Sequence, residues 1–256
     1  MKKLIFISLI ISGFVFSSCK KKDTTTSGGG GNTSSTSFTN IYGTMTDEQV
    51  LHYYPSIPIV DTTYSAMAWF FNAAQNNWMF SGINQTTPAG NVFINSTKLQ
   101  VFNMPGFILY MDSTNTLNLK TNNSWQVIGS SPIPAIIYSP SILWPSYTGY
   151  AQLPDTIHKT QNNIITLSNI TGADSVSISI NDNSNISGHS YTTGKVKSNT
   201  SSITVSSTHT SGLINTANGL LTVSIFKFAP VQNFSSKNFI FIKDVEFQKT
   251  VEINNY

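Results

Sequence analysis

The chain has 256 residues with 14 basic and 11 acidic side chains; it contains no arginine, and its net charge is +3. Five lysines (Lys2, Lys3, Lys20, Lys21, Lys22) sit near the start, so from Phe38 onward nine lysines face ten acids, a balance of −1. That leaves no basic footprint for nucleic acid and excludes it as a partner.

In chain order, the first element is a short export segment. Met1-Lys2-Lys3 is followed by an apolar run from Leu4 to Phe16 and then by Ser17-Ser18-Cys19. A charged start, about a dozen apolar residues and small residues before a cut define a secretory signal. The run is shorter than the ~20 residues a membrane-crossing helix needs. Cys19 is the chain's only cysteine. Ser17-Ser18-Cys19 resembles a bacterial lipobox, which implies lipidation at Cys19 and a membrane partner reached through that anchor. Residues 19–37 carry three lysines, Asp23 and then Thr, Ser, Gly and Asn with no larger apolar residue. Such a stretch cannot bury enough surface to offset its ordering entropy, and it reads as a flexible tether.

Beyond the tether, strand signals dominate. Thr46–Leu51 offers the best short helix signal, a cap followed by acids in a first turn. Strands are expected at 66–71, 92–94, 98–102, 107–111, 117–119, 125–129 and 135–138, with Asn95-Ser96 as a hairpin turn. Prolines at 132, 134, 140, 145 and 154 suggest a stiff connection. In the second half, strands are expected at 164–167, 175–180, 191–197, 202–206, 220–228, 238–247 and 250–253. About seven short strands in ~100 residues mark an immunoglobulin-like sandwich. The fold class is therefore all-β. Residues 1–18 read as signal, 19–37 as tether, 38–150 as an irregular N-terminal β-domain, and 153–256 as an immunoglobulin-like antiparallel β-sandwich.

Several segments carry a family resemblance: Gly90–Asn95, Trp125–Gly129, Pro145–Gly149, Ala173–Val176 and Lys249–Ile253. They resemble uncharacterised envelope lipoproteins of the Bacteroidota type. The resemblance implies a lipid-anchored, two-part β-protein of the cell envelope, at the outer membrane, and supplies no catalytic residue. In such envelopes, acids just after the cysteine direct export to the surface; three lysines there favour the periplasmic side.

The residues that carry chemistry are sparse. His52, His158, His189 and His209 show no metal spacing, and no nucleophile elbow, phosphate loop or cysteine cluster occurs. Asp244 and Glu246 alternate on a strand and are expected to face solvent together. Asp174, Asn181, Asp182, Asn183 and Asn185 could frame a calcium loop, but the glycine and distal glutamate of such loops are missing, and the plain-turn reading is preferred. No metal, no cofactor and no enzymatic activity are expected, and a hydrolase is the third-ranked reading. Trp144, Tyr147 and Tyr150 could stack on a glycan, or fill the junction between two domains. Asp followed by Ser or Thr recurs at Thr24, Thr62, Ser113, Thr156 and Ser175. The pattern is similar to an O-glycosylation sequon of Bacteroidota envelope proteins, and equally to a turn dipeptide. The expected function is a non-enzymatic binding or assembly module with a protein or glycan partner; the alternative is a glycan-binding accessory protein.

Overall fold

The computed structural model describes residues 38–53, 60–76, 86–104, 106–114, 117–119, 122–184, 189–193 and 196–256. Among these, 58% are strand and 4% helix, so the chain is all-β. Cys19, the tether and Thr24 lie outside the described residues.

The long elements open and close the described chain. Strand β1 (Ile41–Tyr53) pairs antiparallel with β2 (Val60–Gln75). A small hairpin follows, β3 (Val92–Ile94) and β4 (Thr97–Lys98), turning at Asn95 and Ser96 with φ of 46° and 67°. Two successive positive-φ residues give the tight turn whose twist matches its strands, and the expected hairpin is present. Strands β5 (Gln100–Met104) and β6 (Phe107–Met111) form the next hairpin, and β6 joins β2. The expected strand at 98–102 is therefore split between two sheets. Strands β7 (Trp125–Val127) and β8 (Ile136–Tyr138) complete a small sheet in the order β4-β3-β7-β8.

The second half begins with β9 (Ser146–Tyr147), β10 (Thr156–His158), β11 (Asn163–Thr166) and β12 (Ile170–Thr171). It continues through β13 (Ser175–Asn181), β14 (Ser190–Thr192), β15 (Val196–Lys197) and β16 (Ser202–Val205). A single helical turn at Ser207–Thr210 precedes β17 (Thr216–Phe228), β18 (Gln232–Phe234) and β19 (Lys237–Asn254). The main sheet runs β14-β13-β17-β19-β1-β2-β6-β5. Pairs β11–β16 and β9–β12 lie outside it.

Side chains alternate along β19 and sort the interior into three clusters. On one face, Phe239 and Phe241 join Met45, Ala68 and Phe70 and meet Val92, Ile94, Trp125 and Val127 of the small sheet. Farther along that face, Val245, Phe247, Val251 and Ile253 join Val176, Ile178, Ile180 and Val223 and close on Ile165, Ile203 and Val205. This second cluster joins side chains of the main sheet to those of the antiparallel β11–β16 pair. On the opposite face, Ile240 and Ile242 pack with Met67, Trp69, Phe226 and Phe228. Each fully buried Val, Leu, Ile or Phe contributes ~1.5–3 kcal/mol relative to exposure.

Four expectations are revised, the first being 117–119, expected as a strand and not one in the structure. Thr46–Leu51 is strand rather than helix, because β1 is flanked on both edges, by β2 and β19, and its backbone bonds go to those neighbours. The segments 238–247 and 250–253 form one 18-residue strand. The long sheet also crosses the expected boundary at 150–153. Strand β19 pairs in parallel with β1 from Ile41↔Asn238 to Tyr53↔Lys249, so the last strand of the chain is the inner neighbour of the first. The proline-rich segment contributes β8 and β9 and buries Pro140 and Pro145.

Candidate functional site

The chemistry-bearing side chains converge on the β1–β19 seam. Asp47 and Glu48 are consecutive on β1, and both are buried. Strand geometry sends them to opposite faces of the sheet.

On the face of the small sheet, Asp47 meets Lys243 of β19, with Nζ 3.9 Å from Oδ2. Asn123 Nδ2 donates to the same Oδ2 at 2.6 Å, and Trp125 Nε1 donates to Oδ1 at 2.9 Å. Asn95, in the β3–β4 turn, donates from Nδ2 to Asn123 Oδ1 at 2.8 Å. The Lys243 ammonium position lies 4.5 Å over the ring of Trp144, whose Nε1 donates to Leu119 O at 2.8 Å. Asp47, Asn123, Trp125 and Lys243 are all buried. Burial pushes the Asp47 carboxyl above its usual range, opposed by Asn123, Lys243 and Trp125. Burial likewise pulls Lys243 below the usual lysine value, opposed by Asp47. Both shifts favour the neutral carboxyl and the neutral amine, the forms that cost least to desolvate.

On the other face, Glu48, Asp244 and Glu246 bring carboxylate oxygens within 4.8 Å of one another. Glu48 stands directly opposite Asp244 on one edge and Ser65 on the other. Ser65 Oγ donates to Glu48 Oε2 at 2.5 Å, and Gln248 Nε2 donates to Glu246 Oε2 at 3.1 Å. Burial, and then the charge of Glu246, push Glu48 up to about 8. Burial also raises Glu246. Such a group can share a proton at neutral pH, and its oxygens suit a hard cation.

The expected pair Asp244 and Glu246 shares a face as anticipated, but Asp244 is buried and Glu246 half-buried at the seam rather than open to solvent. Nothing local in 244–246 signals this; Glu48, the acid opposite, lies on β1, far away in sequence.

The aromatic trio is not an open platform. Tyr147 is only 2% exposed and packs edge-on against Phe247 at 4.9 Å. Tyr150 stacks on the other side of that neighbourhood, 5.9 Å from Phe247 and 5.1 Å from Tyr53. Trp144 packs against both interior clusters of the small-sheet face. The ring that bridges them also covers Lys243.

The calcium constellation is not assembled. Asp174 accepts Lys227 Nζ at 2.8 Å and Phe228 N at 2.9 Å. Asp182 instead meets His189 Nδ1 at 3.1 Å and accepts Ile214 N at 2.7 Å. Asn185 lies outside the described residues. His158 Nδ1 contacts Asn254 Oδ1 at 3.1 Å, His209 stacks on Tyr191, and His52 lies on β1.

The candidate glycosylation residues divide by burial. Ser175 is 2% exposed and is corrected as a modification site: Val176, Ile178 and Ile180 do face the interior, but the opposite face is buried too. Thr62, Ser113 and Thr156 are half-buried. At Asp112 the turn reading has a geometric basis, since its Oδ1 accepts both Thr114 N and Thr114 Oγ1. Sequence reasoning missed Asp47, Lys243 and Asn123 as a group. The one available signal was Lys243 directly after the apolar run Phe239–Ile242.

No protein-family model and no curated protein matches the sequence. Among solved structures, the chain is similar to the crystal structure of DIP-gamma IG1+IG2, at 8% identity and a TM-score of 0.24, covering 85% of this chain and 100% of that one.

Proposed function

We propose that this chain is a lipid-anchored envelope protein, a non-enzymatic binding or assembly module held from the outer membrane by residues 19–37. The observation that carries the reading is Cys19, a lone cysteine closing a short apolar run and followed by a stretch of Lys, Thr, Ser, Gly and Asn with the composition of a tether. The resemblance to Bacteroidota-type envelope lipoproteins supports it. The burial of the acid clusters and of Tyr147 supports it as well, since these groups serve the interior rather than an open cleft. The partner is a protein or a glycan, and the body faces the periplasm.

Detergent phase separation of protein from its native cells tests the anchor. The wild type enters the detergent phase, and Cys19→Ala stays unprocessed or is released. A wild-type chain that remains aqueous would end the reading. Protease treatment of intact cells tests the face: rapid loss of the chain would place it outside.

A further inference from the structure

We propose that Lys243 and Asn123 join in an intramolecular amide bond, formed by the folded chain itself with Asp47 as proton carrier. The inference is independent of the lipid anchor.

The geometry gathers the groups such a step uses around one carboxylate. The amine and the carboxamide both lie beside one oxygen, Asp47 Oδ2: Lys243 Nζ at 3.9 Å and Asn123 Nδ2 at 2.6 Å. The carbonyl oxygen of Asn123 already accepts a hydrogen bond from Asn95 Nδ2 at 2.8 Å. A donor there stabilises the negative charge that develops when the carbonyl is attacked. Trp125 Nε1 fixes the other oxygen of Asp47. The Trp144 ring flanks the amine, and the three reacting side chains are buried. Holding nucleophile and electrophile in one dry site replaces a bimolecular encounter by an intramolecular one.

The steps balance. Lys243 gives a proton to Asp47, which burial favours on both sides. The neutral Nζ attacks Asn123 Cγ, and the carbonyl electrons move to Oδ1 against the Asn95 donor. Asp47 passes its proton to Nδ2 and takes one from Nζ. The Cγ–Nδ2 bond breaks, Nδ2 leaves as ammonia, and the Cγ–Nζ amide remains. No oxidant, reductant or cofactor enters.

The bond would tie β19 to the segment entering β7, and so fasten the small sheet to the main sheet across the first interior cluster. The only cysteine precedes both sheets, so no disulfide could do this.

Peptide mapping of the full wild-type chain decides the matter without a variant. Trypsin cuts after lysine, and an acylated Lys243 resists it. The expected product is a branched species joining residues 121–159 to 238–249, lighter than the sum of its parts by one ammonia, about 17 Da. Asp47→Ala, or Lys243→Met, abolishes the branch and slows migration in a denaturing gel. Recovery of unlinked peptides 121–159 and 238–243 from the wild type would overturn the proposal. So would a loss of about 18 Da, which is water and would indicate a carboxylate donor. A loss of about 17 Da confined to peptide 121–159 would overturn it too, being ring closure at an asparagine.

Discussion

Asp47 and Glu48 are neighbours in the chain and both buried, yet they obey opposite electrostatics. Asp47 faces a lysine and two donors; Glu48 faces two further acids. A parallel strand from the other end of the chain supplies Lys243 to one face and Asp244 with Glu246 to the other.

The first prediction follows from Glu48, whose carboxyl is raised from 4.5 to about 8. A carboxyl raised in the folded state keeps its proton where the unfolded chain has lost it, so its stability contribution is complete below pH 4.5 and declines up to about pH 8. The decline is on the order of 5 kcal/mol in full. Denaturant titrations at pH 5 and pH 8.5 should show a lower midpoint at the higher pH. Glu48→Gln should flatten most of that difference. An unchanged profile in Glu48→Gln would mean that the acids titrate elsewhere.

Trp144 should behave as a structural residue. It bridges two interior clusters, covers Lys243 and donates to Leu119 O. Trp144→Ala is expected to cost ~3 kcal/mol, from lost packing and a cavity. Trp144→Phe keeps a smaller aromatic ring and loses the donor, and should cost ~1 kcal/mol less than Trp144→Ala. Thermal unfolding checks the order. Equal effects of the two changes would contradict the packing role.

Gly43 and Gly219 should differ in their tolerance of alanine. A Cβ at Gly43 would lie 2.6 Å from Phe70 Cδ1 and 3.0 Å from Phe239 Cδ1, inside a packed aromatic cluster. At Gly219 it would meet a single side chain, Ile253, at Cδ1 (2.6 Å) and Cγ1 (2.7 Å), and Val251 O at 3.1 Å. Gly43→Ala is expected to cost ~1–3 kcal/mol and Gly219→Ala less. Matched urea midpoints give the comparison, and the reverse order would be inconsistent with this packing.

Burial also ranks the candidate glycosylation residues. Ser175 should carry no glycan in protein from its native envelope, whereas Thr62, Ser113 and Thr156 remain reachable at their half-buried positions. Mass mapping of glycopeptides tests this. A glycan on Ser175 would require the β13 face to be open.

Local pattern in the sequence is enough for the all-β class, many strand positions and the Asn95-Ser96 turn. These depend on period-two alternation and on residues that tolerate positive φ, both of which are local. It also placed Val176, Ile178 and Ile180 on one face and Asp244 with Glu246 on another, correctly in each case. What those faces meet is set by long-range contacts. Alternation divides side chains between two sides of a strand, but whether a side meets solvent or protein depends on strands distant in sequence. The parallel union of β1 with β19 leaves no local trace, and it sets Asp47 beside Lys243 and Glu48 beside Asp244, all four buried. The same pairing turns Thr46–Leu51 from a candidate helix into the middle of a sheet, because two flanking strands outweigh a weak propensity for helix.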